Sequence, residues 1–190
     1  MVRALLINTR SYCGLGLAAL LLTPIAGHAQ IIDNSTVSYG QGQGDTDVYR
    51  IGTRRAWQKS WFSEGNWHVS GYWHLELGHW HSNKRGAHED NAFEIAVTPV
   101  FRLEQKNADS GKIAPYLEAG VGARVIGPTS IGDRSLSSVF QIGTHLGTGL
   151  RFGSNGKYDL GYRFQHISNG GLNHPNNGID MHTVNFGIHY

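Results

Sequence analysis

Two stretches near the C-terminal end, YDLGYRFQHIS at residues 158–168 and DMHTVNFGIHY at residues 180–190, decide the fold of this chain. In the first, aromatic or aliphatic residues occupy alternate positions from 158 to 164, and Asp, Gly and Arg lie between them. The second shows the same alternation, with one phase made up of His182, Val184, Phe186, Ile188 and Tyr190. Successive side chains of a β-strand point to opposite faces, so both stretches predict strands with one apolar and one polar face.

The same alternation runs through the chain from about residue 35 and indicates eight strands. Their predicted bounds are Ser35–Gln41, Asp47–Trp61, Trp67–His81, Asn91–Gln105, Lys112–Ile126, Ser138–Phe152, Lys157–Ser168 and Asp180–Tyr190. Alternating segments of about ten residues, separated by turn residues, are typical of an outer-membrane β-barrel. We therefore predict an all-β fold, an eight-stranded antiparallel transmembrane β-barrel that forms one domain over residues 30–190.

The N-terminal segment is predicted to be an export signal. Arg3 and Arg10 give it a basic start, residues 13–26 are mostly apolar, and Ala29 ends a small-residue stretch of the kind that a signal peptidase reads. We assign residues 1–29 to this signal peptide. A transmembrane anchor is the alternative, and the shortness of the apolar run argues against it.

The composition excludes several classes of function. The chain has 16 Lys and Arg residues against 14 Asp and Glu residues, so it offers no basic stripe for nucleic acid. The single cysteine, Cys13, lies in the predicted signal and leaves no thiol nucleophile in the barrel domain. His79 and His81 share a face and could hold a metal with His74 or His88. No carboxylate pattern completes such a site, so we expect no metal and no cofactor.

The apolar face of the strands is predicted to contact lipid, and the polar face to line the lumen. Charged residues in the lumen can pair with one another away from hydrocarbon. They are Glu94, Arg102, Glu118, Arg124, Asp159 and Arg163. A soluble β-sandwich or lipocalin-like barrel would show the same periodicity with the faces inverted. The predicted signal, and the aromatic Tyr190 in phase with the apolar face, favour the membrane barrel.

The turns predict the topology. Short turns follow the second, fourth and sixth strands, at residues 63–66, 107–111 and 153–156. Longer loops follow the third, fifth and seventh strands, at residues 82–90, 127–137 and 169–179. Even-stranded outer-membrane barrels keep their short turns in the periplasm and their longer loops outside. The sequence thus predicts a multi-pass protein of the bacterial outer membrane.

The last hairpin carries candidate chemistry. His166 and Ser168 are two positions apart on a strand, so their side chains point to the same side. Asp180 is in phase with the outward face of the last strand, and pairing it opposite His166 or Ser168 brings its carboxylate within reach of the His166 ring. Ser, His and an acid together serve nucleophilic acyl transfer, here on the lipid side of the extracellular rim. The alternative is a solvated hairpin end. A second His-x-Ser, His68 and Ser70, predicted to face the lumen, shows that the spacing alone is weak evidence.

The motif around these residues resembles a known family. Its two parts, His166-x-Ser168-Asn169-x-Gly171-Leu172 and Pro175-Asn176-x-Gly178-Ile179 followed by an acid, are similar to the C-terminal signature of the PagL family. These are lipid A 3-O-deacylases of Gram-negative outer membranes. The resemblance implies hydrolysis of the ester-linked acyl chain at the 3-position of lipid A, with Ser168 as nucleophile, His166 as base and Asp180 as the orienting acid. The best-known member has Glu at the acid position, so the register or rotamer at Asp180 is expected to differ.

Two further groups of residues are candidates for holding the reacting ester. An oxyanion needs hydrogen-bond donors. The candidates are the amides of Asn169, Gly170 and Gly171 and the side chain of Asn176, of which the resemblance favours Asn176. The candidates for an acyl groove are Leu160, Tyr162 and Phe164. His182 also points outward near the site and could compete as the base, but we favour an interfacial polar role for it.

Two other functions stay open at this point. An outer-membrane phospholipase often uses a Ca²⁺ site and a dimer, yet the sequence has no acidic cluster near Ser168. A non-enzymatic structural or adhesin barrel would need no Ser-His-acid cluster on its lipid face. The partners that we expect are lipid A or lipopolysaccharide and outer-membrane lipid, without nucleic acid, and a homodimer is compatible with such a barrel.

Overall fold

The computed structural model describes residues 32–84, 89–106 and 110–190. The predicted signal peptide, residues 1–29, lies outside the described residues. The described chain forms a closed antiparallel barrel of eight strands, with a two-stranded hairpin in one loop, which confirms the predicted fold. Within these three ranges, no helix is long and apolar enough to cross a membrane.

The barrel strands differ little in bounds from those predicted. They are β1 Asn34–Gly42, β2 Thr46–Ala56, β3 Trp67–Ser82, β4 Asn91–Gln105, β5 Ala114–Gly127, β8 Phe140–Phe152, β9 Tyr158–Ser168 and β10 Ile179–His189. The small hairpin consists of β6 Ser130–Ile131 and β7 Arg134–Ser135. The order around the barrel is β1-β10-β9-β8-β5-β4-β3-β2, so every barrel strand pairs on both sides.

The apolar faces lie on the outside of the barrel, as predicted. Phe93 and Leu146 are each 69% exposed, and the six predicted lumen charges are all buried. Inside, Arg102 donates to Glu118 Oε2 at 2.7 Å and to Asp159 Oδ2 at 2.5 Å. This arrangement excludes the inverted faces of a soluble sandwich, because a water-soluble fold would bury the apolar side chains and solvate the charges.

The second strand ends at Ala56, five residues before the predicted end at Trp61. Beyond Ala56 the pairing with β3 becomes irregular: Trp57 N–H still donates to Gly71 O at 2.8 Å, and Trp61 forms an isolated bridge with Val69. The Trp57 ring covers Gly71, where an added Cβ would come within 2.0 Å of Trp57 Cε3. The Trp57 ring also packs edge-on against Phe101, with centroids 4.9 Å apart. The regular ladder therefore ends at Ala56, and an aromatic cluster on the outer surface accompanies the irregular pairing that follows it.

One end of the barrel interior is apolar, which the sequence pattern does not predict. A buried cluster there joins inward-facing strand residues to the β5–β8 loop; its members are Val48, Trp80, Ala92, Ile126, Ile131, Leu136, Ile167, Ile179 and Met181. Ile131 and Leu136 belong to the loop and are fully buried. The cluster therefore closes this end of the barrel and packs under the ends of β9 and β10.

Candidate active site

The ends of β9 and β10 bring together the three residues of the predicted constellation. In the register, Asp180 lies directly opposite His166, which is the first of the two pairings considered from the sequence. His166 Nδ1 lies 2.6 Å from Asp180 Oδ1, and His166 Nε2 lies 3.2 Å from Ser168 Oγ. The side chains of His166 and Asp180 are 49% and 38% exposed. The result is a hydrogen-bonded chain from acid to imidazole to hydroxyl on the outer face of the barrel.

The apolar cluster positions this hairpin. Ile167 separates His166 from Ser168, Ile179 precedes Asp180, and both isoleucines point inward and are fully buried. Because strand residues alternate in direction, burial of these side chains forces the intervening polar ones outward. A register slip of one residue would expose the isoleucines and bury the polar groups.

The loop between β9 and β10 is braced by the β5–β8 loop. Asn169 Nδ2 donates to Leu136 O at 3.0 Å and to Asn173 O at 2.9 Å. Ser137 Oγ donates to Pro175 O at 2.5 Å. These contacts fix the backbone that carries Ser168 on one side and Asp180 on the other.

The four oxyanion candidates differ in what they already bind. Asn169 N–H donates to Asn176 Oδ1 at 3.2 Å, and Gly171 N–H donates to Asn169 Oδ1 at 2.9 Å. Among the hydrogen bonds of the described residues, none is donated by Gly170 N–H or by Asn176 Nδ2. Asn176 is thus held through its oxygen, and its amide nitrogen and the Gly170 amide are the donors left for a ligand.

A groove of about 480 Å³ on the outer surface begins at His166 and crosses β8 and β5 toward β4. Its walls are Phe101, Leu146 and Phe164, and its floor includes the smaller Ala119 and Thr144. Of the predicted acyl-groove residues, Phe164 lines this groove. Leu160 and Tyr162 lie on the lipid-facing surface of the same strand but outside the groove. The small outward side chains of Ala119 on β5 and Thr144 on β8 are the sequence signal for this groove, and the prediction of the acyl groove did not use them.

The remaining candidates fall elsewhere. Ser70 Oγ donates to Glu104 Oε1 at 2.7 Å, and this pair faces the lumen as predicted. His74 is buried inside the barrel, whereas His79 and His81 lie on strand positions that face outward, so His74 does not join them. His88, the other partner considered, lies outside the described residues. In the part of the chain that the structure describes, no three His, Cys, Asp or Glu side chains could hold a metal.

Gly178 provides a test of how tightly the imidazole is held. Its φ is +59°, and an added Cβ would lie 3.1 Å from His166 Cε1. We expect the added methyl group of Gly178→Ala to displace the His166 ring and to lower the esterase rate about tenfold. That loss corresponds to about 1.4 kcal/mol of transition-state stabilisation. The measurement is the rate of ester hydrolysis by purified protein.

Gly111→Ala is the matched control for this substitution. Gly111 has a φ of +76°, and no atom of the described residues lies within 4 Å of an added Cβ, so Gly111→Ala carries the same backbone penalty without the contact. It should keep the parent rate. Equal rates for the two variants would show that Gly178 has no part in placing His166.

The fold and this constellation together define a class of protein. An eight-stranded barrel with an apolar exterior is the architecture of outer-membrane proteins, and a hydrogen-bonded Ser, His and Asp is the arrangement of ester hydrolases. Residues 47–189 match the family model described as lipid A 3-O-deacylase (PagL). The chain therefore belongs to the PagL family of lipid A 3-O-deacylases and is an ester hydrolase of the outer membrane.

Individual relatives agree with this assignment. The chain is 34% identical to lipid A deacylase PagL of Pseudomonas aeruginosa over 90% of this chain and 94% of that protein. It is 41% identical to lipid A deacylase PagL of Bordetella bronchiseptica over 35% of this chain and 36% of that protein. The crystal structure of the outer membrane enzyme PagL superposes with a TM-score of 0.72 at 28% identity, covering 83% of this chain and 99% of that chain.

Proposed function

We propose that this protein hydrolyses the ester of the 3-O-linked acyl chain of lipid A, with Ser168 as nucleophile, His166 as general base and Asp180 as the orienting acid. The observation that supports the proposal most is the continuous hydrogen-bonded chain from Asp180 Oδ1 through the imidazole to Ser168 Oγ. Family membership supports the substrate class, and the hydrogen-bond geometry supports the choice of residues.

The first half of the reaction forms an acyl-enzyme. His166 Nε2 takes the proton of the Ser168 hydroxyl as its oxygen attacks the ester carbonyl. The imidazolium then returns this proton to the sugar oxygen that leaves, while the acyl group stays on Ser168. Asp180 accepts a hydrogen bond from the Nδ1–H of His166, which selects the required tautomer and stabilises the positive charge.

The second half repeats these steps with water. His166 removes a proton from water, the hydroxide attacks the acyl-Ser168 carbonyl, and the proton returns to the Ser168 oxygen as the fatty acid departs. In both halves, negative charge develops on the carbonyl oxygen and requires preorganised donors. Gly170 N–H and Asn176 Nδ2 are the donors that we assign to this oxygen.

The location proposed for the reaction is the extracellular rim, facing the outer leaflet. The three residues lie on the outer face of the barrel, next to the long loops at 128–139 and 169–178 and above a band of exposed apolar side chains. The groove that begins at His166 is lined largely by apolar side chains, so it is suited to hold the acyl chain that is removed. The proposal includes export by residues 1–29.

Mass spectrometry of lipid A from cells with and without this protein tests the proposal. We expect the loss of one hydroxyacyl unit from the 3-position in cells that make the protein, with the phospholipids unchanged. The reason is that only this ester would be presented to Ser168 with its acyl chain in the groove. Unchanged lipid A together with altered phospholipids would contradict the proposal and favour a phospholipase.

A further inference from the structure

A row of polar side chains crosses the outer surface from β10 to β4, next to the candidate triad. Each member is the register partner of the next: His182 with Gln41, Gln41 with Asp47, Asp47 with His81, and His81 with Asn91. We call these five residues the polar row. Since neighbouring strands are about 4.8 Å apart, the row is about 19 Å long.

The row begins beside the reacting groups. His182 follows Asp180 by two residues on β10 and shares its face, and its ring nitrogen Nδ1 is hydrogen-bonded to the Tyr162 hydroxyl. Phe164, the partner of His182 on β9, lines the apolar groove on the other side. The candidate triad therefore lies on a border, with an apolar groove on one side and a polar row on the other.

Asp47 is the centre of the row. Its Oδ1 accepts hydrogen bonds from Tyr39 Oη at 2.8 Å and from Gln41 Nε2 at 3.3 Å, and its Oδ2 accepts one from Asn83 Nδ2 at 2.9 Å. Among the described residues, no Lys or Arg forms an ion pair with Asp47. A carboxylate has about four acceptor sites, so an Asp47 held by three neutral donors keeps capacity for another hydroxyl.

Ring side chains lie on the same outer face, two residues further from the candidate triad along each strand. Tyr39 and Tyr49 have centroids 5.2 Å apart, and so do His79 and Phe93. Tyr side chains such as Tyr39 and Tyr49 gather at the boundary between hydrocarbon and headgroups. The polar row therefore lies at the level of the lipid headgroups.

We infer that the polar row binds the sugar headgroup of lipid A, with Asp47 accepting a hydrogen bond from a sugar hydroxyl. The inference rests on the proposed function, because a sugar ester with its carbonyl at Ser168 and its acyl chain in the groove extends its headgroup across β10 toward β1 and β2. A sugar hydroxyl suits the row better than a phosphate does. The row contains a carboxylate and no Lys or Arg, and a carboxylate repels an anion.

The test compares two substrates for Asp47→Asn and Asp47→Ala. One substrate is lipid A in mixed micelles, and the other is a p-nitrophenyl ester of the same hydroxyacyl chain, which has no sugar. We expect KM for lipid A to rise about tenfold or more, with kcat changed less than about twofold, because a hydrogen bond to a charged group is lost from binding. For the sugar-free ester, KM should change less than about twofold.

Asp33→Asn is the matched control. Asp33 is also a carboxylate near the barrel surface, but it lies at the opposite end, where its Oδ2 accepts from Ala56 N–H at 2.7 Å. This variant should match the parent on both substrates. Heat-modifiable migration in gels, which closed barrels show, checks that each variant is folded.

Two outcomes would overturn the inference: an unchanged KM for lipid A in both Asp47 variants, or an equal rise in KM for both substrates. Either would show that Asp47 does not recognise the sugar. Ser168→Ala, measured in parallel, keeps this question apart from the proposed function. An inactive Ser168→Ala with an unchanged Asp47→Asn leaves the deacylase proposal standing, whereas an active Ser168→Ala overturns that proposal instead.

Discussion

Replacement of Ser168 by Ala, or of His166 by Asn, is expected to abolish lipid A deacylation. The hydroxyl and the imidazole act as one unit, so either loss should reduce the rate by about 10⁴-fold to 10⁶-fold. The barrel should remain folded, since both side chains lie on the outer surface and the packing under them is made by Ile167 and Ile179. The measurement is the rate of fatty acid release from lipid A by purified protein, with folding checked by heat-modifiability.

The second His-x-Ser of the chain provides the control for both variants. Ser70 and His68 face the lumen, where both lie near Glu104 Oε1. Ser70→Ala and His68→Asn should therefore keep most of the activity. Substantial activity in Ser168→Ala, measured against these controls, would remove Ser168 as the nucleophile.

Asp180→Asn is expected to have the second largest effect, a loss on the order of 10⁴-fold in rate. An amide can donate to His166 Nδ1 and so favour the tautomer in which Nε2 carries the proton and cannot accept one from Ser168. Asp180→Ala should also lose much of the activity, though less than Ser168→Ala, because the acid alone is usually the least costly member of a triad to remove. The rates of lipid A deacylation for these variants are the measurement.

Two further variants complete this test. Asp180→Glu should keep measurable activity, because the carboxylate is preserved and the half-exposed site has room for one more methylene. Asp133→Asn is the matched control, an exposed acid in the adjoining loop that pairs with Lys84. If Asp180→Ala is as active as the parent protein, then Asp180 is only a strand-end residue and another group must orient His166.

The sequence alone was sufficient to predict the barrel and to predict which side chains of each strand face the lumen. Period-two alternation in β9 and β10 placed Arg163 inside and His166 outside, and both positions are confirmed because one buried face determines the phase of a whole strand. The alternation could not locate the end of β2. Trp57 and Trp61 continue the alternation, yet the regular ladder stops at Ala56. Beyond it only the Trp57–Gly71 hydrogen bond and the isolated Trp61–Val69 bridge continue the pairing with β3.

Other features depend on contacts between segments that are far apart in the chain. The β6–β7 hairpin and the burial of Leu136 arise because the β5–β8 loop folds over the barrel end. The sequence of that loop has no periodicity that predicts this folding. The groove runs from His166 onto β8 because Thr144, which lines it, is the register partner of His166. The sequence predicted a pairing between Asp180 and either of two residues, and only the register distinguishes them.

The ion pairs inside the barrel have a consequence for electrical behaviour. Arg102 bridges Glu118 and Asp159 across the lumen, and Arg163 donates to the second oxygen of Glu118 at 2.5 Å. The apolar cluster closes one end of the same lumen. A small ion could pass only by displacing these side chains from one another in a medium of low polarity, which is costly. The strands close into a barrel, as in a pore, but the paired side chains leave no path for ions. A membrane that contains this protein should show no ion current through the barrel.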